Sequence, residues 1–137
     1  MFDKTVLGLD EARRALEAMI AAALQEPDRP VAFAVADPDG NLILYAHMDH
    51  AGHLPRDMAV RKAYTSARMG ADTGVWGERM GKAGIDLGDL GDPRYTGFAG
   101  GVCVRVGGAV VGGIGVSGRA ADEDEVLAQI GATAVTG

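Results

Sequence analysis

Two turn signals set the fold class of this chain before anything else does. Pro38-Asp39-Gly40-Asn41 divides an almost unbroken apolar run, residues 31–37, from a second extended stretch, residues 42–48. Gly107-Gly108 divides residues 101–106 from residues 109–116 in the same way. Short turn-forming clusters between strand-like runs are the signature of hairpins, and hairpins impose antiparallel pairing. The rest of the chain must then cover an antiparallel sheet.

Helical spacing supplies the cover. Ala12, Leu16, Met19, Ile20, Ala23 and Leu24 recur on one helical face, after Asp10 as N-cap and before the turn-forming Pro27-Asp28-Arg29-Pro30. Residues 54–69 read as a second helix, with Leu54, Met58, Ala59, Ala63, Tyr64 and Ala67 facing inward. Asp72 or Thr73 is placed to cap a short helix that runs to about Lys82. A last helix is expected from near Asp122, burying Val126, Leu127, Ile130 and Ala134. Residues 5–7 suggest a short first strand. The expected class is α+β: an antiparallel sheet of about five strands flanked by helices as an α/β/α sandwich. No repeat or linker divides the sequence, so residues 1–137 read as a single domain.

Composition supports a real core. The chain is 47% hydrophobic and 23% charged, normal for a globular protein. Aromatics make up only 5%, so the core must rest on Ala, Val, Leu, Ile and Met. Most of the 21 glycines lie between Gly70 and Gly118, where turns and close backbone approaches are expected. Thirteen basic against 19 acidic residues leave a net charge of −6, which gives no footprint for nucleic acid. No apolar run approaches the roughly 18 residues of a membrane span, and the first residues lack a secretory apolar core. One cysteine, Cys103, cannot form a disulfide within the chain. A cytoplasmic location is expected.

Gly113-Ile114-Gly115-Val116-Ser117-Gly118 matches the dinucleotide pattern G-x-G-x-x-G, but too few residues follow for the required second strand. No nucleotide cofactor is expected, and the glycines are better read as allowing close packing. Ser117 is not a nucleophile elbow, because that pattern fails at Arg119. The acidic run from Asp122 to Glu125 suits a helix start.

The chemistry-bearing cluster is His47-Met48-Asp49-His50-Ala51-Gly52-His53, which contains all three histidines. Gathered in a loop, His47, His50 and His53 would bind a divalent metal and leave an open position, with Asp49 as a ligand or hydrogen-bond partner. The alternative is a polar strand end with exposed imidazoles. Lys62 follows on the second helix. If enclosed, it would bind a carboxylate or, with its pKa lowered by burial, form a Schiff base. Residues 84–94 form a long polar loop, closed by Arg94 and Tyr95, and Arg94 is a candidate anion ligand.

Four stretches together resemble the GlcG/HbpS-like haem-binding or haem-degrading-type family, which includes the C-terminal domain of PduO-type proteins. They are residues 31–37 with Asp39-Gly40-Asn41-Leu42; Met48-Asp49; Arg61-Lys62-Ala63-Tyr64-Thr65 with Ala67 and Thr73; and Gly100-Gly101, residues 110–118 and Asp124. The resemblance covers about residues 5–135. It implies an antiparallel sheet flanked by helices and homo-oligomers from dimer to octamer. It also implies a small-molecule ligand, haem or a related tetrapyrrole, in a pocket around residues 47–65 closed by residues 84–101. On this reading His47, Asp49, Arg61, Tyr64, Arg94, Gly100 and Gly101 are ligand-binding candidates. The sequence departs from the family pattern R-M-D-G-A at His47, which replaces Arg, and at His50, which replaces Gly.

Two functions follow from different classes. The first is a haem-binding protein, with His47, His50 or His53 as axial ligand and Tyr64 behind them, and Arg56, Arg61 or Lys62 paired with propionates. The second is a small enzyme acting on an anionic or carbonyl metabolite. There His50 or His53 would be the base, and Lys62 and Arg94 would stabilise an anion or enolate.

Overall fold

The computed structural model describes residues 1–136. Its first helix, α1 (Leu9–Ala23), leads into β1 (Ala32–Ala36) and β2 (Leu42–His47). Two helices follow, α2 (His53–Met69) and α3 (Thr73–Lys82), and then a single 3-10 turn at Leu87–Leu90. The chain ends with β3 (Gly101–Val106), β4 (Ala109–Ser117) and α4 (Ala121–Ala134). Both expected hairpins are present, and the strands form one antiparallel sheet in the order β2-β1-β4-β3.

The sheet has four strands among the described residues. Residues 5–7 do not add a fifth, although Leu7 is buried and its N–H donates to Val111 O at 2.9 Å. One bond fixes this segment against the sheet without making a ladder.

Alternation along β1 explains the layers. Phe33 and Val35 join Val102, Val104, Ile114 and Val116 in the main core under α1 and α4. Ala32, Ala34 and Ala36 face the other way and pack with Ala59 and Ala63 of α2. Strand side chains point to opposite faces in turn, so one strand serves both layers. The α2 face is built almost entirely of small side chains, which draws the helix close. A Cβ added to Gly113 would meet Ala63 O at 2.5 Å, and one added to Gly115 would meet Ala63 N at 2.6 Å. The G-x-G of the sequence therefore serves helix-to-sheet contact.

Three local expectations are corrected. The N-cap of α1 is Gly8, so Asp10 sits inside the first turn, where its charge favours the helix dipole. Leu54 is 69% exposed, because the inward face of α2 begins at Met58. On α4, Val126 and Ile130 are exposed, while Asp124, Leu127, Ala128 and Gly131 turn inward. The alanine-rich helix carries apolar residues on both sides, and their periodicity does not single out the inner one.

Candidate functional site

The residues singled out by the sequence are spread over distinct settings. His47 ends β2, and His50 lies in the turn after it with φ 70°, the left-handed region. Met48 O accepts from Ala51 N at 3.1 Å to close that turn. A glycine adopts this conformation without strain, which gives a physical reason for Gly at this place in the family pattern. Accordingly, His50→Gly is expected to hold or raise stability by up to about 1 kcal/mol, read from the denaturation midpoint. A fall of that size would show that the imidazole itself supports the turn.

His47 and His50 flank a cleft of about 400 Å³ whose other walls include Ile20, Leu24, Phe33 and Met48. Asp49 lines the same cleft but makes no hydrogen bond to a histidine among the described residues. Tyr45 Oη lies 2.9 Å from His47 Nδ1. His53 instead begins α2, with Nδ1 2.8 Å from an Arg56 guanidinium nitrogen. His47, His53 and Arg56 line a second, adjoining hollow with Tyr45. The expected gathering of three imidazoles on one metal is thus not found. Among the described residues no group of three His, Cys, Asp or Glu side chains is placed to hold a metal ion. The turn at His50 and the helix start at His53 aim the chain in different directions.

Tyr64 and Arg94 are committed to an internal cluster. Tyr64 is buried, and its hydroxyl donates to Asp92 Oδ2. Arg94 clasps both Asp92 oxygens at 3.0 Å and lies 4.1 Å over the Tyr64 ring. Burial and the Asp92 contact push the Tyr64 phenol up to about 12. The Arg94 and Tyr64 hydrogen bonds hold the Asp92 carboxyl well below the usual carboxylate range. Arg61 is exposed. Gly100 and Gly101 have packing reasons to be glycine, since a Cβ would meet Lys62 Nζ at 2.6 Å and Lys62 O at 2.6 Å respectively.

Lys62 occupies a different cleft of about 340 Å³. Leu54, Pro55 and Met58 of α2 form one wall, Phe98 and Ala99 another. Of the expected pocket around residues 47–65 closed by residues 84–101, Leu54, Pro55, Met58 and Lys62 meet Phe98 and Ala99 here, while the histidines line other hollows. Lys62 is 3% exposed and Asp124 2%. Lys62 Nζ donates to Val116 O at 2.9 Å and to Asp124 Oδ2 at 3.3 Å. Asp124 Oδ1 accepts from Arg119 N at 2.9 Å. Burial lowers the Lys62 pKa, opposed by Asp124. Burial likewise raises that of Asp124, opposed by the Arg119 N–H and by Lys62. Asp124 is among the residues that carry the family resemblance, but the sequence reading gave it no place in the site. It sits in an acidic run that a helix start explains by itself, and only its inward register sets it apart.

The alternative acid–base constellation is not assembled at one place. Lys62 pairs with Asp124, His53 with Arg56 and Arg94 with Asp92, while His50 borders the first cleft.

With this architecture in view, the comparisons agree. The family described as haem-degrading protein, HbpS-like, matches residues 7–133. The chain belongs to the HbpS-like family. It is 34% identical over 123 residues to an uncharacterized 15.0 kDa protein of the dhaT-dhaS intergenic region of Citrobacter freundii, covering 88% of this chain and 86% of that one. A double mutant of Streptomyces reticuli HbpS superposes with a TM-score of 0.87 at 36% identity, covering 97% of this chain and 89% of that one. PduOC, solved as a haem complex, superposes with a TM-score of 0.84 over 95% of each chain. At 23% identity that match shows the shared fold alone. Among the described residues no helix is long and apolar enough to cross a membrane.

Proposed function

We propose that this protein binds a small molecule, and that the ligand is haem or a related tetrapyrrole held in the cleft beside His47 and His50. Support comes from one arrangement: apolar walls that include Ile20, Leu24, Phe33 and Met48, with an imidazole at the rim whose orientation is set from behind. A haem site needs an apolar slot and an axial donor, and the residues present fit both needs. His47 is the leading donor. Its Nδ1–H would donate to Tyr45 Oη, which leaves the Nε2 lone pair free and fixes the tautomer. Arg56, which lines the adjoining hollow together with His47, is the candidate for a propionate. The bound haem would supply iron redox chemistry, and the family description is consistent with that ligand.

Among the described residues, Phe33 is the only Phe, Tyr or Trp in the walls of this cleft. A flat macrocycle gains more from two walls than from one, so the proposal includes self-association, with another copy of the chain covering the open side.

Optical haem titration of the purified protein tests this reading. A saturable Soret shift at one haem per chain or per dimer is expected, and it is lost in the His47/His50/His53→Ala variant. The Tyr45→Phe variant should keep the site but shift the spectrum, because His47 loses its orienting partner. A correctly folded protein with no saturable shift would remove the tetrapyrrole reading.

A further inference from the structure

The Lys62 cleft has a chemistry of its own. Lysine and aspartate are almost never fully buried unless paired, and here both are buried at the floor of a cleft. The pair is not a simple clamp, since Lys62 Nζ sits 3.3 Å from Asp124 Oδ2 while a backbone carbonyl takes the shorter bond. Gly100 stands directly against the amine, where any Cβ would collide with it. That keeps room at Nζ which a larger residue would fill. The cleft reaches the surface past Leu54 and Phe98, which are 69% and 70% exposed. Large apolar side chains rimming a concave opening suit an apolar ligand.

We propose that Lys62 is a Schiff-base lysine, and that this cleft takes up an aldehyde or ketone with a small apolar body. Transfer of the shared proton to Asp124 leaves a neutral amine beside a neutral carboxyl, a state that burial brings within reach of the ion pair. The amine lone pair then attacks the carbonyl carbon, and the proton on nitrogen passes to oxygen by way of Asp124. The carbinolamine oxygen takes the Asp124 proton and leaves as water. A protonated imine remains, paired with the Asp124 carboxylate, and the overall charge is unchanged. Nothing is oxidised or reduced. The volume, about 340 Å³, is at the small end for ligand sites and is enough for a small carbonyl compound.

Reductive trapping of the full chain tests this. The protein is mixed with hexanal and sodium cyanoborohydride at neutral pH, and modified lysines are mapped by peptide mass spectrometry. Lys4 and Lys82 serve as internal controls, with side chains 46% and 76% exposed. Lys62 is expected to react at least about tenfold faster than either, because burial lowers its pKa and leaves more of it as free amine beside an acid partner. That preference should vanish in guanidinium, where all three lysines are equivalent. Asp124→Asn keeps the shape but cannot carry the proton, and it should slow Lys62 labelling while leaving Lys4 and Lys82 unchanged. Labelling at Lys62 no faster than at the exposed lysines would overturn the proposal. Unchanged labelling in Asp124→Asn would overturn the role of Asp124. The histidine variant does not touch this cleft, so failure of haem binding and failure of imine formation are separate results.

Discussion

Lys62→Met is expected to destabilise the fold by about 3–5 kcal/mol, the penalty for stranding one member of a buried ion pair. The methionine fills the volume of the lysine stem, so packing loss is small. What remains is Asp124, 2% exposed, with Arg119 N as the chief donor left to it. Val116 O also loses its lysine bond. Asp124→Leu should cost a similar amount for the mirror reason, with an uncompensated ammonium left inside. The double variant Lys62→Met/Asp124→Leu decides the interpretation. If the charges themselves are the liability, the double variant recovers most of the loss, since apolar replacement of a whole buried pair is often neutral. Guanidinium denaturation of the four proteins gives the coupling directly. Additive losses would mean that each residue is held by its other partners and that the pair has no special coupling. The double variant also separates stability from chemistry, because a well-folded protein without Lys62 must lose the trapped imine.

The sheet was legible because its signals are local. Pro38 to Asn41 and Gly107-Gly108 act through backbone geometry of their own, and the signal for each turn lies within the turn itself. Asp37 closes the first turn as a local acceptor, with its carboxylate receiving Asp39 N at 2.9 Å and Asn41 N at 3.0 Å. The inner face of α4 was not legible. Val126 and Ile130 are the larger apolar residues there, yet Asp124 takes an inward place because Lys62 arrives from the opposite layer. Asp124 does share helical spacing with Leu127, Ala128 and Gly131, but a charged residue on that face reads as outward until Lys62 is seen to meet it. The histidines show the same limit in reverse. Their spacing in sequence suggested one cluster, but the left-handed turn at His50 and the start of α2 at His53 give each a different surface. Lys62 meets the condition of enclosure that the sequence left open, and its partner was hidden by an acidic run that already had a sufficient local explanation.

Gly115→Ala should be the most damaging single methyl group that can be added to this chain's sheet. The new Cβ would collide with Ala59 O and stand 2.6 Å from Ala63 N and 2.9 Å from Lys62 Cβ. Two of these are backbone atoms within α2, so no rotamer change relieves the clash. The helix must move as a body, away from Ala32, Ala34 and Ala36, whose small side chains offer nothing to fill the gap. Overpacking typically costs about 1–3 kcal/mol, and a clash with helix backbone belongs at the top of that range or above it. Gly81→Ala is the matched control. Gly81 lies in α3 with nothing within 4 Å of a new Cβ. There the methyl group should stabilise by about 0.5–1 kcal/mol through helix propensity. Denaturation midpoints moving in opposite directions would establish that the close approach of α2, rather than glycine flexibility, is what Gly115 provides. Lys62 rides on the helix that Gly115 admits. A folded Gly115→Ala protein should therefore also lose preferential trapping at Lys62, and intact trapping would mean that the amine does not depend on how closely α2 meets the sheet.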